Sequence, residues 1–147
     1  MYKRILVATD GSELSAKAVD SAMNFAKLAS AELVVLNVIA PTAVSYWDGT
    51  SRAQMQETTD TSDIHTEAGR SIVHAVKIEA ERQGINTQAI TIKSELVAEN
   101  IISAAEQYEC DLIVMASHGR RGINRILLGN ETMNVLTHSK IPVLVLR

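Results

Sequence analysis

Four short runs of branched apolar residues limit what this 147-residue chain can fold into. Each run is too short for an independent helix and is bounded by turn or polar residues, which is typical of a strand buried on both faces. Between the runs, apolar residues recur at spacings of three and four, which predicts helices with one buried side. The runs are "KRILVAT" (3–9), "ELVVLNVI" (32–39), "CDLIVMAS" (110–117) and "IPVLVLR" (141–147). The helical sets are Ala16, Val19, Ala22, Met23 and Ala26; Gly69, Ile72, Val73, Val76 and Ala80; and Ala98, Ile101, Ile102 and Ala105.

Strands that alternate with helices indicate right-handed crossovers and a mostly parallel sheet with helices on both faces, so we predict an α/β, doubly wound fold. Residues 88–96, "QAITIKSEL", alternate between apolar and polar side chains, which suits an edge strand. The last run is apolar throughout, and an outermost apolar strand invites pairing. We therefore expect residues 141–147 to pair with the same strand of a second copy in a symmetric dimer. A central position for this strand is the alternative.

The composition narrows the function classes. A chain of this length with 46% hydrophobic residues can bury one core, so we expect one domain over residues 1–147. The net charge of −3 offers no general field to nucleic acid or anionic lipid, so neither is an expected partner. The N-terminal apolar run is too short for a secretory signal or a membrane span. Because the lone cysteine, Cys110, suits a reducing compartment, we expect a cytoplasmic protein with a buried thiol.

Residues 40–65 form the longest stretch without clear periodicity. They include Pro41, Gly49 and a tract rich in Ser, Thr and Asp, which predicts a long irregular connection, and such connections are mostly mobile or functional. The adjacent aromatic residues Tyr46 and Trp47 could cover a ligand, or they could anchor the loop or a dimer contact. The sequence leaves both interpretations open.

The loops that follow strands are the first places to look for a site, because ligands of open parallel sheets bind beyond the carboxyl ends of the strands, where the winding reverses. After the first strand, Asp10 precedes Gly11 and Ser12. The Asp10 carboxylate could accept hydrogen bonds from ribose hydroxyls or from an adenine amine. Alternatively, Asp10 or Ser12 merely caps the helix that follows.

The stretch "MASHGRRGINRILLGNET" (115–132) gives a stronger signal. Gly119, Gly122 and Gly129 permit close backbone approach, and Asn130 is a suitable N-cap for a following helix. Backbone N–H groups at such a helix start can hold phosphate oxygens, so the pattern predicts a phosphate site, with a plain surface loop as the alternative. Neither the Walker A spacing nor a GxGxxG fingerprint after the first strand occurs. Charged hydrogen bonds could come from Arg120, Arg121 or Arg125.

Taken together, these segments resemble the universal stress protein family over nearly the whole chain. The resemblance is carried by "YKRILVATDGS", "ELVVLNVI", "CDLIVMASHGRRG", "LLGNET" and "SKIPVLVLR". It implies a five-stranded sheet of order 3-2-1-4-5, in which strands 1 and 4 are neighbours at the winding reversal, and a homodimer formed through the last strand. It also implies a stress-response regulatory protein that binds ATP or AMP, with or without Mg²⁺.

In ATP-binding members of that family, the motif is Gly, two residues, Gly, nine residues, and Gly followed by Ser or Thr. The corresponding positions here are Ala116, Gly119, Gly129 and Asn130. Ala116 adds a methyl group and Asn130 replaces a hydroxyl with an amide that keeps cap capacity; neither change removes the site. Glu131 would repel phosphate if it faced inward, so we expect it to face outward and favour the helix N-terminus. The nucleotide-binding residues that the resemblance implies are Ala8, Thr9, Asp10, Val38, Met115, Ala116, His118, Gly119, Arg120, Gly122, Gly129, Asn130, Glu131 and Thr132.

By the same resemblance, Asp10 contacts the ribose or adenine, the backbone at Val38 reads the adenine edge, and residues 129–131 hold the terminal phosphates. A slow ATPase or phosphotransferase is one alternative, but it needs a positioned base and a metal ligand, and only Asp10 and His118 stand out. We therefore assign no catalytic residue. A family member that acts through protein contacts without nucleotide is the second alternative. A flavin-binding or receiver-like module is disfavoured, because the first strand is followed by a single acidic residue and few aromatic residues are available.

Overall fold

The structure is a computed structural model that describes residues 1–41, 53–119 and 128–147, without the side chains of residues 53–63. Strands and helices alternate along the chain, as the apolar runs predict. The elements are β1 (Arg4–Ala8), α1 (Glu13–Ala29), β2 (Glu32–Ile39), α2 (Ala53–Arg82), β3 (Thr87–Lys93), α3 (Val97–Gln107), β4 (Leu112–Ala116), α4 (Asn130–His138) and β5 (Val143–Leu146). Within the described ranges, none of the helices has the length and apolar character needed to cross a membrane.

The five strands form a parallel sheet in the order β3-β2-β1-β4-β5. The α/β doubly wound fold and the order 3-2-1-4-5 are thereby confirmed. β5 lies at one edge, so the alternative of a central last strand is wrong, and the half-polar strand β3 lies at the other edge. The chain proceeds outward from β1 to β3 and then crosses back to β4. The winding therefore reverses between β1 and β4, which is where a ligand is expected in such sheets.

The helices cover both faces of the sheet, because successive side chains of a strand point to opposite sides. On one face, Ile5 and Leu33 pack beneath α1 and α2. On the other face, Leu6, Leu36 and Ile113 pack against α3 and residues of α4. These five side chains are completely buried, so β1 and β2 form a rigid base for the loops at their carboxyl ends.

The strands that flank the winding reversal are joined near their starts by Asp111. Its carboxylate accepts hydrogen bonds from the backbone N–H groups of Lys3 (2.8 Å) and Arg4 (3.1 Å), which lie 108 and 107 residues away in sequence. The Asp111 N–H in turn bonds to the Arg4 carbonyl (2.9 Å). These bonds help to set the register between β1 and β4.

Helix α1 is rotated slightly from its expected orientation. Ala16, which we expected in the core, is exposed, whereas Ser15 and Ala18 are buried. The Ser15 hydroxyl lies 3.0 Å from that of Thr9, and this polar contact holds the Ser15 position on the inner side. Apolar spacing alone did not reveal it, because the residue concerned is polar.

Helix α2 begins at Ala53, inside the 40–65 stretch that we expected to be irregular. The expectation was wrong for residues 53–65. A helix satisfies its backbone hydrogen bonds internally, so a tract of Thr, Ser and Asp side chains can be helical without showing an apolar stripe. Tyr46 and Trp47 lie outside the described residues.

Candidate functional site

The loop that follows β1 is held by polar groups from two neighbouring elements. Thr9 is buried; its N–H bonds to the Leu36 carbonyl (2.9 Å), and its own carbonyl accepts the side-chain amide of Asn37 (2.7 Å). The Thr9 hydroxyl lies 3.0 Å from the Ser15 hydroxyl and accepts the N–H of Gly11 (3.2 Å). The backbone that leads into the candidate carboxylate is therefore fixed by the protein itself.

Asp10 places its two carboxylate oxygens against two different elements. Oδ1 accepts the N–H of Ser12 (2.9 Å), and Ser12 is the N-cap of α1, with its hydroxyl accepting the Ser15 N–H (3.3 Å). A Cβ atom at position 119 would lie only 2.5 Å from Oδ2. The capping interpretation thus holds for Ser12 and for one oxygen of Asp10. The other oxygen lies against Gly119, so the two candidate loops meet at the winding reversal.

Ser117 anchors the loop after β4 at both of its ends. The Ser117 N–H bonds to the Leu146 carbonyl (2.7 Å), and the Ser117 carbonyl accepts the N–H of Gly129 (2.8 Å). The buried Thr132 hydroxyl donates to the Ala116 carbonyl (2.9 Å). The start of α4 is therefore fixed to the end of β4, and the Thr132 hydroxyl serves this attachment.

The N-cap of α4 is Gly129, whereas the sequence suggested Asn130. Since the Gly129 N–H is held by Ser117, Gly129 occupies the cap position with an extended backbone, and its carbonyl accepts the N–H of Met133 (3.0 Å). Asn130 becomes the first helical residue, so a tertiary hydrogen bond overrides the local capping preference. No described side chain caps this N-terminus. Its first N–H groups therefore point toward a region where an anion could accept them.

Glu131 bonds to a neighbouring helix. Its Oε2 accepts the N–H of Ala98 (2.9 Å), in the first turn of α3. The N-cap residue of α3 is Leu96, whose side chain cannot accept a hydrogen bond, so Glu131 supplies the missing acceptor. The expectation that Glu131 favours the N-terminus of its own helix is corrected: the carboxylate favours the N-terminus of α3.

Two further candidates of this segment are largely buried. Met115 and Ala116 are 6% and 7% exposed, and the Met115 side chain packs in the core beneath α3 and α4. Met115 therefore contributes to the fold with its side chain. His118 is partly buried, with Nδ1 3.1 Å from the Ser117 hydroxyl. The arginines Arg120, Arg121 and Arg125, together with Gly122, lie outside the described residues.

The main chain of Val38 lies just beyond the point where the pairing of β1 with β2 ends. Residues of a parallel strand bond alternately to its two neighbours. Glu32 donates its N–H toward β1 and Leu36 accepts from Thr9, each at 2.9 Å, so the even-numbered residues of β2 face β1. Pairing between the two strands ends with Ala8 opposite Leu36. Val38 therefore directs its N–H and carbonyl toward the loop after β1, where a bound base could meet them.

Asn37 is the residue of this region that sequence reasoning missed. It is 5% exposed and bonds to the Thr9 carbonyl. The available signal was a single amide in the run "ELVVLNVI", whose other residues after Glu32 are all apolar. Buried polar side chains usually have a specific partner, so the amide should have been placed near a loop.

Cys110 precedes β4 and lies at the opposite end of that strand from the candidate loops. The thiol is buried, and burial raises its pKa to about 11, so it stays protonated at neutral pH. The interpretation of Cys110 as a buried small residue is confirmed. Among the side chains that the structure describes, no three His, Cys, Asp or Glu residues are grouped so that they could hold a metal ion.

Comparison with known proteins supports the family resemblance. The universal stress protein family model matches residues 1–147. The chain is 33% identical to universal stress protein YxiE of Bacillus subtilis, over the full length of both proteins. It is also 33% identical to universal stress protein MJ0531 of Methanocaldococcus jannaschii, over all of this chain and 83% of that one. The solved structure of MJ0577, from the same archaeon, superposes with a TM-score of 0.82 at 31% identity and covers 99% of this chain and 96% of its own.

Two other solved structures share the fold at lower identity. One is a universal stress protein in complex with cAMP, with a TM-score of 0.68 and 24% identity over 99% of this chain and 97% of that one. The other is the universal stress protein from Archaeoglobus fulgidus in complex with dAMP, with a TM-score of 0.64 and 15% identity over 99% and 98%. At these identities the likeness is one of fold. The match of the family model over the whole chain and the relatives at 33% identity show that this chain belongs to the universal stress protein family.

Proposed function

We propose that this chain is a cytoplasmic stress-response regulator that binds an adenine nucleotide, ATP or AMP, and acts as a homodimer. The observation that carries the proposal is the contact between Asp10 and Gly119 at the winding reversal, beside a helix N-terminus that no described side chain caps. A carboxylate suited to ribose and a helix start suited to phosphate are thereby brought to the same edge of the sheet.

The start of α4 supports the phosphate half of the proposed site. Its backbone is already held by the Gly129–Ser117 and Thr132–Ala116 bonds, so little ordering is needed when an anion binds. The positive end of the helix dipole favours a phosphate there. Because Gly129 is the cap, Asn130 in place of Ser or Thr leaves the capping of α4 unchanged.

The acidic residue in this segment is also compatible with a phosphate. Glu131 directs one carboxylate oxygen to Ala98 at 2.9 Å, so that part of its charge is stabilised by the N-terminus of α3. The methyl group of Ala116 belongs to a residue that is 7% exposed, so it adds little bulk to the surface that a ligand would meet. The two departures from the ATP-binding motif are thus accommodated in the proposed site.

The ends of β1 and β2 support the ribose and base half. Asp10 offers a carboxylate for ribose hydroxyls, and Val38 directs main-chain donor and acceptor groups toward the same loop. Ala8 and Thr9, which lead from β1 to Asp10, would line the pocket. The fold itself accommodates adenine nucleotides, since two proteins that share it were solved with cAMP and dAMP. A Mg²⁺ ion would enter with the nucleotide, held through its phosphates.

The homodimer is proposed from the outer edge of β5. Ser117 donates to Leu146 and Ile113 donates to Pro142, so the even-numbered residues of this segment bond to β4. Val143 and Val145 consequently direct their N–H and carbonyl groups outward, along an apolar edge. A second copy of the strand, related by a twofold axis, would satisfy these groups.

The test begins with mass spectrometry of small molecules released by denaturing gently purified protein. Titration calorimetry of the emptied protein with ATP, ADP and AMP follows. We expect an adenine nucleotide to be recovered and at least one of the three to bind. No recovered nucleotide, and no heat of binding at millimolar nucleotide, would reject the proposal and favour a family member that acts through protein contacts alone.

A further inference from the structure

We propose that Asn37 is a positioning residue that keeps the main chain of Val38 available to the base of a bound nucleotide. The inference rests on the proposed function and assigns base selectivity to a side chain that does not itself touch the ligand. Asn37 is 5% exposed, and its amide donates to the Thr9 carbonyl at 2.7 Å. It is therefore one of the interior links between β2 and the loop that carries Asp10.

The hydrogen-bond pattern of β1 and β2 shows which backbone hydrogen bond the Asn37–Thr9 bond replaces. Thr9 bonds through its N–H to Leu36, and in a continuing parallel ladder its carbonyl would accept the N–H of Val38. Pairing instead ends with Ala8 opposite Leu36, and the Asn37 amide takes the Thr9 carbonyl. The side chain thus satisfies the carbonyl that would otherwise draw the Val38 N–H into the sheet.

The Asn37 side chain is also confined from the side of α2. Since the NH₂ group faces a carbonyl, Oδ1 faces away from it, and a Cβ atom at position 69 would lie 2.6 Å from Oδ1. Within the described residues, Oδ1 has no hydrogen-bond partner. Burying an unpaired amide oxygen is unfavourable, and a leucine of similar shape would avoid the penalty.

The proposed role of Asn37 predicts that the site prefers adenine to guanine. A free backbone N–H beside a carbonyl matches the acceptor N1 and the donor N6 of adenine, whereas guanine presents the opposite pattern, with a carbonyl at O6 and a donor at N1. A site whose polar groups are left unpaired by the wrong base rejects that base. If the Val38 N–H is withdrawn into the sheet, the preference is lost while the ribose and phosphate contacts remain.

The matched control is Thr91, which lies directly opposite Asn37 in the β2–β3 register. Its hydroxyl is buried and, among the described residues, has no hydrogen-bond partner. Thr91→Val and Asn37→Leu therefore both replace a polar side chain by an apolar one of similar shape, at neighbouring positions of the sheet. Only Asn37 contacts the loop after β1.

The experiment measures ATP and GTP affinities of wild type, Asn37→Leu and Thr91→Val by calorimetry, with circular dichroism as the check of folding. We expect the ratio of ATP to GTP affinity to fall about tenfold in Asn37→Leu, the change expected for one hydrogen bond of ordinary strength, and to stay unchanged in Thr91→Val. General destabilisation would not alter this ratio, since both nucleotides share ribose and phosphates. Hydrogen exchange followed by NMR adds a readout without ligand: the Val38 amide should be more protected in Asn37→Leu than in wild type.

Gly69→Ala provides a second variant if Asn37→Leu does not fold. Its added methyl group would lie 2.6 Å from both Oδ1 of Asn37 and Cδ1 of Ile39, so it displaces the amide while leaving Asn37 in place and also presses on the side chain of Ile39. The same loss of the ATP preference is expected. An unchanged ratio in folded Asn37→Leu or Gly69→Ala protein overturns the inference and leaves the proposed function intact, as does an equal loss in Thr91→Val. Wild-type protein that binds neither nucleotide overturns both.

Discussion

Replacement of Gly119 by alanine is the most direct perturbation of the proposed site. Gly119 does not have a left-handed φ, so alanine introduces no backbone strain. Its Cβ would lie 2.5 Å from Oδ2 of Asp10, whereas ordinary contacts begin at 3.4 Å, so the carboxylate must move by about 0.9 Å (3.4 minus 2.5 Å). The movement weakens the bond from the Ser12 N–H to this carboxylate, so the expected cost to stability is no more than that of one hydrogen bond, about 1 kcal/mol.

The effect on binding should be larger than the effect on stability. In the proposed complex, a displacement of this size would remove one hydrogen bond between the carboxylate and the ribose, and bonds to charged groups contribute about 1.5–3 kcal/mol. We therefore expect the Kd for ATP to rise about 10- to 150-fold in Gly119→Ala, while the free energy of unfolding changes by less than about 1 kcal/mol. Calorimetric titration and urea denaturation measure the two quantities on the same preparation.

Gly84→Ala is the matched control, because it should show the opposite result. Gly84 has a φ of +82° and no atom lies within 4 Å of a Cβ placed there. Alanine should therefore cost about 1 kcal/mol of stability through backbone strain alone and leave ATP affinity unchanged. A double-mutant cycle with Asp10→Ala then isolates the contact. Two results would refute the reasoning. One is ATP affinity equal to wild type in folded Gly119→Ala protein. The other is that Gly119→Ala lowers ATP affinity by the full amount even when Asp10 is already alanine.

Three further predictions address the dimer, the α3–α4 contact and the cysteine. Val145→Pro removes an outward N–H without breaking the ladder to β4, so sedimentation velocity should show a monomer with unchanged circular dichroism; a persistent dimer would place the interface elsewhere. Glu131→Gln weakens the acceptor of the Ala98 N–H and should lower the free energy of unfolding by about 0.5–1 kcal/mol, unlike the control Glu106→Gln, an exposed residue in the last turn of α3; equal effects would contradict the capping role. Cys110, with its pKa raised to about 11 by burial, should react with iodoacetamide at pH 8 only after addition of denaturant; rapid labelling of native protein would contradict the burial.

The strands were predictable because their signal is local. The runs beginning at Lys3, Glu32, Cys110 and Ile141 each contain a strand, and only the end residues differ. The edge position of β3 followed from its alternation of polar and apolar side chains. The start of α2 was missed because its first turns are polar, and a helix without an apolar stripe resembles a loop in composition.

The details of the candidate site depend on contacts between residues far apart in the sequence. Asn130 has the better capping side chain, but the Gly129–Ser117 hydrogen bond decides which residue becomes the cap. Glu131 bonds to Ala98, 33 residues earlier, and no local pattern indicates this partner. The sequence could therefore predict which two loops meet at the winding reversal. It could not predict which distant residues bond to their polar groups.

The strand order also determines when the proposed site can form during folding. Strands β1, β2 and β3, with helices α1 and α2, are consecutive in sequence and can assemble as soon as they are synthesised. The junction between β1 and β4 is different, because Lys3 and Asp111 are separated by 108 residues and must close a long loop. A nucleotide bound across that junction would stabilise only the completed sheet. The ligand would then stabilise the junction that forms last, and its concentration would set the fraction of molecules in which β4 is paired with β1.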